Sequence, residues 1–288
     1  MGLLGKVKRY LKSISLKKEV VDNPVLYGQL LKGRAALVTG GTSGIGLAIA
    51  EAYTRNGAAV VITGRSEDRI KKALDAVRSK VDGALIAGVA FDSSTGDEDA
   101  FARALDKAEA ALGMPLDILV NNAGVIAGGS VPDTRIDGFD QTIDTNLRGA
   151  YFLSQSFARQ MVCAKREGNI LNICSSSSLR PAISPYTVSK WGLRGMTMGF
   201  AKALIPHGIV VNGVAPGPTA TPMLMGDGDG NLVNEGVPAG RYATPEEIAN
   251  MAVVLVSDLS RMVVGDIVYM TGGCGNLTFD DINYSVGL

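Results

Sequence analysis

Short apolar runs alternate with helix-period segments along most of this 288-residue chain, which predicts an α/β fold. The architecture expected is a doubly wound parallel sheet of about seven strands, with helices on both faces, in a single domain. Two observations carry this. From residue 34 the run-then-helix rhythm repeats with few breaks, and strands that alternate with helices pair in parallel through right-handed crossovers. The chain also holds 36 glycines, spread along its length rather than clustered, as expected of many tight turns and close backbone approaches.

The elements follow in order. Ala35–Thr39 reads as the first strand, followed by a helix from about Gly44; Ala59–Thr63 is the second, followed by a helix from Ser66. Ala84–Ala90 precedes a helix from about Asp97, and Asp117–Asn121 precedes one running through Phe139–Cys163. Asn169–Cys174 leads to a helix from Pro185, Ile209–Ala215 to one from Pro245, and Asp266–Met270 is the last strand. Thr244-Pro245-Glu246-Glu247 joins an N-cap, a proline at the first helical position and a capping-box glutamate. Ser184-Pro185 repeats the cap-then-proline order.

Composition narrows the function. Basic and acidic residues number 28 each, so no net charge recommends a nucleic-acid partner. Three widely spaced cysteines and one histidine build neither a disulfide framework nor a metal site nor a Ser-His-Asp triad, and a reducing cytoplasm is expected. No apolar run approaches the roughly 18 residues needed to span a bilayer. Residues 1–33 stand apart as a basic extension, with seven basic against two acidic side chains. Leu4, Val7, Leu11 and Ile14 follow helical spacing there, so residues 1–18 offer either a docked helix or a weak contact with an anionic membrane surface.

The first strand ends in Thr39-Gly40-Gly41-Thr42-Ser43-Gly44-Ile45-Gly46. Glycines 40, 44 and 46 permit a tight turn and bring backbone amides close to a pyrophosphate at a helix N-terminus. Four further motifs follow in order: Asn121-Asn122-Ala123-Gly124, then Asn146, then Tyr186-x-x-x-Lys190, then Pro216-Gly217-Pro218-Thr219-Ala220-Thr221. Taken together this series resembles the short-chain dehydrogenase/reductase family, in its subgroup with TGxxxGxG spacing, over about residues 34–273. The resemblance implies a Rossmann-like dinucleotide-binding and catalytic domain over 34–273, with 274–288 as a C-terminal tail.

Tyr186 and Lys190 are four apart and share one helix face. An ammonium beside a phenol stabilises the phenolate, which makes Tyr186 the candidate general acid/base for an alcohol/ketone pair. By resemblance, Lys190 also holds the nicotinamide ribose, Ser175 hydrogen-bonds the substrate oxygen, and Asn146 holds a water in a relay to Lys190. The gap from Ser175 to Tyr186 is 11 residues, shorter than the family's usual spacing, and Ser176 is the alternative within the run of four serines.

At the end of the second strand Gly64 stands where a carboxylate would repel a 2′-phosphate, and Arg65 follows. NADP(H) is therefore favoured over NAD(H); Ser43 adds no second positive charge. The resemblance assigns further cofactor contacts to Gly40, Thr42, Ser43, Gly44, Ile45 and Gly46, to Asp92 and Ser93, to Asn122, Ala123 and Gly124, and to Pro216, Gly217, Thr219 and Thr221. No metal is expected. Asp227–Asn231 imitates the start of a calcium loop, but Leu232 and Pro238 occupy the wrong positions. The substrate, a small carbonyl or alcohol, is expected among 128–137, 179–184 and a lid at 221–240. Cys174 reads as a small buried strand-end residue. Gly192, Gly195 and Gly199 form a small-residue stripe on the Tyr186 helix, packed either on the sheet or across a two-fold axis in a homodimer or homotetramer. The competing reading is a non-catalytic dinucleotide-binding protein whose basic arm docks a partner or membrane.

Overall fold

The computed structural model describes residues 28–225 and 231–277. The elements run β1 (Ala35–Val38), α1 (Gly44–Arg55), β2 (Ala59–Gly64), α2 (Glu67–Lys80), β3 (Ile86–Ala90), α3 (Glu98–Leu112), β4 (Ile118–Asn121) and α4 (Ile136–Ile143). They continue with α5 (Gly149–Cys163), β5 (Gly168–Ile173), α6 (Pro185–Leu204), β6 (Ile209–Pro216), the short α7 (Pro222–Met225), α8 (Pro245–Val256) and β7 (Ile267–Met270). The seven strands form one parallel sheet in the order β3-β2-β1-β4-β5-β6-β7.

Strand residues point alternately to the two faces, and the sheet buries both. On one side Ala36, Val38, Val60 and Ile62 pack with Ile49 and Tyr53 of α1, Ile70 and Val77 of α2, and Ile248 and Val253 of α8. On the other, Ala35, Leu37 and Val61 pack with Phe101 and Leu105 of α3 and with Leu153, Phe157 and Met161 of α5. Strands covered on both faces are mostly apolar; β1 and β4 are buried at every position, with Asn121 at the end of β4 the one polar residue of the two. Leu31, ahead of β1, is itself fully buried in the first cluster. Residues 28–33 therefore pack on the body, while residues 1–27, which carry the stripe from Leu4 to Ile14, lie outside the described residues.

One expected helix differs. The segment through Phe139–Cys163 starts earlier, at Ile136, and is interrupted by a π-helical turn over Asp144–Arg148. At the following Gly149, a Cβ would stand 2.1 Å from the Ser93 carbonyl oxygen. The helix passes so close to the chain leaving β3 that only glycine fits. The cap expectations hold: Thr244 and Glu247 form the reciprocal capping box, and the Ser184 hydroxyl accepts from the Thr187 amide. Among the described residues no helix is long and apolar enough to cross a membrane.

Candidate active site

All seven strands end on the same side of the sheet, and the chain leaves β1 towards β2 but returns from β3 to β4. This reversal opens a crevice between the loops after β1 and β4. A cleft of about 780 Å3 occupies it. Lining it are Gly40, Thr42, Ser43, Gly44, Ile45, Arg65, Asp92, Ser93, Asn122, Ala123, Gly124, Ser175, Tyr186, Lys190, Pro216, Gly217, Thr219 and Thr221. Two of the residues singled out from the sequence, Gly46 and Asn146, stand behind the lining instead.

The turn after β1 is built around its glycines. Gly40 has φ 63°, and a Cβ there would be 3.0 Å from the Ala123 Cα. At Gly46 a Cβ would collide with Asn122 Nδ2 at 2.4 Å and with the Gly40 carbonyl oxygen at 2.5 Å. The Asn122 amide nitrogen Nδ2 donates to the Thr39 and Gly40 carbonyls at 2.9 and 3.2 Å, and the Thr39 hydroxyl accepts from the backbone of Asn122 and Ala123, both at 3.0 Å. The loops after β1 and β4 are thus locked together.

The start of α1 faces this cleft without a side-chain cap at Ser43 and without an acid in its first turn. By contrast, α2 is capped by Ser66 and carries Glu67 and Asp68. Free first-turn amides at the positive end of a helix suit a phosphate. Nearby, the Thr63 hydroxyl lines the cleft, buried, with no hydrogen-bond partner among the described residues. A cradle that a Cβ would fill, an uncapped helix start and an orphaned hydroxyl together fit a dinucleotide.

At the other end, α6 brings Tyr186 and Lys190 to the cleft. Lys190 is buried, its Nζ lies 5.6 Å from the Tyr186 ring centroid, and it donates to the Ile173 carbonyl at 2.8 Å. That bond ties α6 to the end of β5, two residues before Ser175. The Ser175 hydroxyl accepts from the Ser177 amide at 3.1 Å and caps a 3-10 turn over Ser176–Leu179. Ser175 and Ser176 both line the cleft, and the Ser178 hydroxyl instead donates to the Ser175 carbonyl.

Asn146 lies within the π-helical turn, fully buried. Its Oδ1 accepts from the Val125 amide at 2.8 Å, and its Nδ2 donates to the Val125 carbonyl at 2.9 Å and to Ser189 Oγ at 3.1 Å. It therefore braces the loop after β4 against α6 and makes no direct hydrogen bond to Lys190. Cys174 is buried, and burial pushes its thiol up to about 11, as fits a packing residue rather than a nucleophile.

Sequence reasoning missed Arg69. It lines the cleft beside Arg65, so a second positive charge does stand at this end, where Ser43 provides none. Its signal was present, because Arg69 follows Arg65 by four residues, in the first turn of the helix that leads away from β2. Thr63, the orphaned hydroxyl, left no comparable sign in the sequence. The glycine stripe divides. A Cβ at Gly192 would press on Leu147 at 2.6 Å, so that residue is packed within the chain. Gly195 and Gly199 have nothing within 4 Å and share α6 with exposed Val188, Trp191 and Met198. Of the calcium-like segment and the lid, residues 226–230 lie outside the described residues; in the remainder Val233 pairs with Arg241, and just outside it Thr219 pairs with Ala243.

Residues 34–231 match the family model for short chain dehydrogenases. The chain is 36% identical over 261 residues to gluconate 5-dehydrogenase of Gluconobacter oxydans (strain 621H), covering 88% of this chain and 98% of that one. It is 33% identical over 249 residues to a 3-oxoacyl-[acyl-carrier-protein] reductase of Aquifex aeolicus (strain VF5), covering 84% and 98%. In three dimensions it resembles a gluconate 5-dehydrogenase from Burkholderia cenocepacia J2315, crystallised in complex with NADP and tartrate. The TM-score is 0.76 and the identity 32%, over 85% of this chain and 97% of that one.

Proposed function

This chain belongs to the short-chain dehydrogenase/reductase family, and from that premise we propose that it interconverts a secondary alcohol and a ketone with NADP(H) as cofactor. The observation that carries the reading is the convergence of Tyr186, Lys190 and Ser175 on one cleft that also receives the uncapped start of α1. When bound, the nicotinamide cofactor supplies or accepts the hydride. Tyr186 gives or takes the proton at the substrate oxygen, as general acid or base. The Ser175 hydroxyl orients that oxygen. Lys190 places a positive charge beside the ring on which negative charge develops. Asn146 acts through others: by holding Val125 and Ser189 it positions the loop and helix that carry the reacting groups.

Preference for NADP(H) is supported by Arg65 and Arg69 at the cleft margin and by Gly64 in place of a carboxylate at the end of β2. A structure that this chain resembles holds NADP. The outward glycines of α6 support assembly as a homodimer or homotetramer through that helix, and three free thiols support a reducing, cytoplasmic setting. The test is a titration of the purified protein with NADPH and NADH, followed by ketone reduction in the presence of the tighter cofactor. Tight NADPH binding with turnover is expected. Cofactor binding without turnover of any ketone would favour the competing, non-catalytic reading, and binding of neither cofactor would overturn both.

A further inference from the structure

The loop after β5 carries a cation that the hydride chemistry does not use. Arg180 follows the 3-10 turn over Ser176–Leu179, lines the cleft, and is half-buried. Its backbone is braced on every side. The Arg180 amide donates to the Ser177 carbonyl at 3.3 Å, and the Trp191 indole donates to the Arg180 carbonyl at 2.6 Å. Arg194 donates to the Ser178 carbonyl at 3.0 Å, and its guanidinium sits over the Trp191 ring. Two side chains of α6 therefore hold this loop in place. Yet among the described residues no hydrogen bond or ion pair engages the Arg180 guanidinium itself.

The charges around it point the same way. The cleft lining includes Arg65, Arg69, Arg180 and Lys190, against Asp92 as its carboxylate. Lys190 donates to the Ile173 carbonyl, and Asp92 accepts from the Ser94 amide and hydroxyl. Arg65 and Arg69 follow β2, whereas Arg180 follows β5, and β1 and β4 lie between. Three strand spacings, about 14 Å, separate β2 from β5. Arg180 thus stands apart from the 2′-phosphate end of the cleft, on the side of Ser175 and Tyr186. A half-buried guanidinium with no acid against it among the described residues is unfavourable until an anion reaches it, and its planar fork matches two oxygens at once.

Resting on the dehydrogenase reading, we propose that Arg180 receives an oxyanion carried by the substrate, a carboxylate or a phosphate. The substrate class is then a small anionic alcohol or ketone rather than a neutral one. Asn234 and Tyr242, which also line the cleft, are uncharged polar groups suited to hydroxyls on the same molecule.

The test is a binding titration of the NADPH-loaded full-length protein with D-gluconate, D-glucitol 6-phosphate and uncharged D-glucitol. Trp191, the single tryptophan, is the reporter, since its indole holds the Arg180 carbonyl. At least one anion is expected to bind tenfold or more tightly than glucitol, and the responding probe identifies carboxylate or phosphate. In Arg180→Gln the ratio of anion to glucitol affinity should fall roughly tenfold to hundredfold. Arg180→Lys should restore part of it, with NADPH affinity as the control for folding. Equal binding of all three probes, binding of none, or an unchanged ratio in Arg180→Gln would overturn the assignment of Arg180. Failure to bind NADPH at all would instead remove the dehydrogenase reading on which it rests.

Discussion

The two edges of the same sheet are organised in opposite ways. At the amino ends of the strands polar groups satisfy one another. The Arg34 guanidinium pairs with Asp117 and donates to Asn169 Oδ1 at 2.8 Å and to the Val256 carbonyl at 3.2 Å, while Asp117 accepts from the Ala35 amide at 2.9 Å. This closes β1, β4, β5 and the end of α8 into one network. At the carboxyl ends polar groups are left facing the cleft: the uncapped start of α1, the Thr63 hydroxyl and the Arg180 guanidinium. Buried polar groups ordinarily find partners, so a cluster lacking them marks where a ligand completes the structure. One edge holds the sheet together, and the other is left incomplete for chemistry.

Substitutions at the two edges should separate stability from activity. The largest effect expected is at the carboxyl edge. Tyr186→Phe should lower kcat by roughly two to four orders of magnitude while NADPH still binds, measured by turnover and cofactor fluorescence. Retained turnover would remove Tyr186 as the acid/base. At the amino edge, Asp117→Ala strands a half-buried guanidinium and the Ala35 amide. A loss of about 2 kcal/mol is expected, or a Tm lower by roughly 4–8 °C, with unchanged activity per folded molecule. An equal fall in kcat would show that the two edges are coupled.

Arg65→Ala returns to the carboxyl edge with a smaller effect, because Arg65 is exposed and Arg69 remains. NADPH affinity should fall roughly tenfold and NADH affinity should not change; equal losses would mean that Arg65 does not meet the phosphate. The smallest effect concerns Glu247, which pairs with Arg241 at 2.9 and 2.6 Å and accepts from the Thr244 amide. The Arg241 guanidinium beside it holds its carboxyl down to about 2. A carboxyl lowered on folding stabilises the fold above its ordinary range near 4.5, and that contribution is lost as pH falls towards 2. The pair is exposed, so Glu247→Gln should lower Tm by only about 1–2 °C at pH 7 and by nothing near pH 2. A pH-independent difference would assign the effect to the cap alone.

Much of the site was legible because its signals are local. The glycines of the turn after β1, the spacing of Tyr186 and Lys190, and the helix caps at Ser184 and Thr244 depend on residues within a few positions of one another. The seven strands were legible for a related reason, since each is a short apolar run bounded by turn residues. Asn146 was a candidate from the resemblance, and its geometry left no sign in the sequence. It sits in a π-helical turn beside the close approach of Gly149 to Ser93, and neither feature appears in a helical periodicity.

What the sequence determined alone, then, is the order of strands and helices, the phosphate turn and the Tyr–Lys pair, because backbone preferences and i,i+4 spacing act over short stretches of chain. The tertiary structure decided the rest. It left Thr63 without a partner among the described residues, turned Asn146 onto Val125 and Ser189, packed Gly192 inward while leaving Gly195 and Gly199 outward, and braced Arg180 across from Trp191. Each of these depends on which strand ends lie side by side and on how α5 and α6 seat against them. Such contacts join residues whose separation along the chain says nothing of their distance in space.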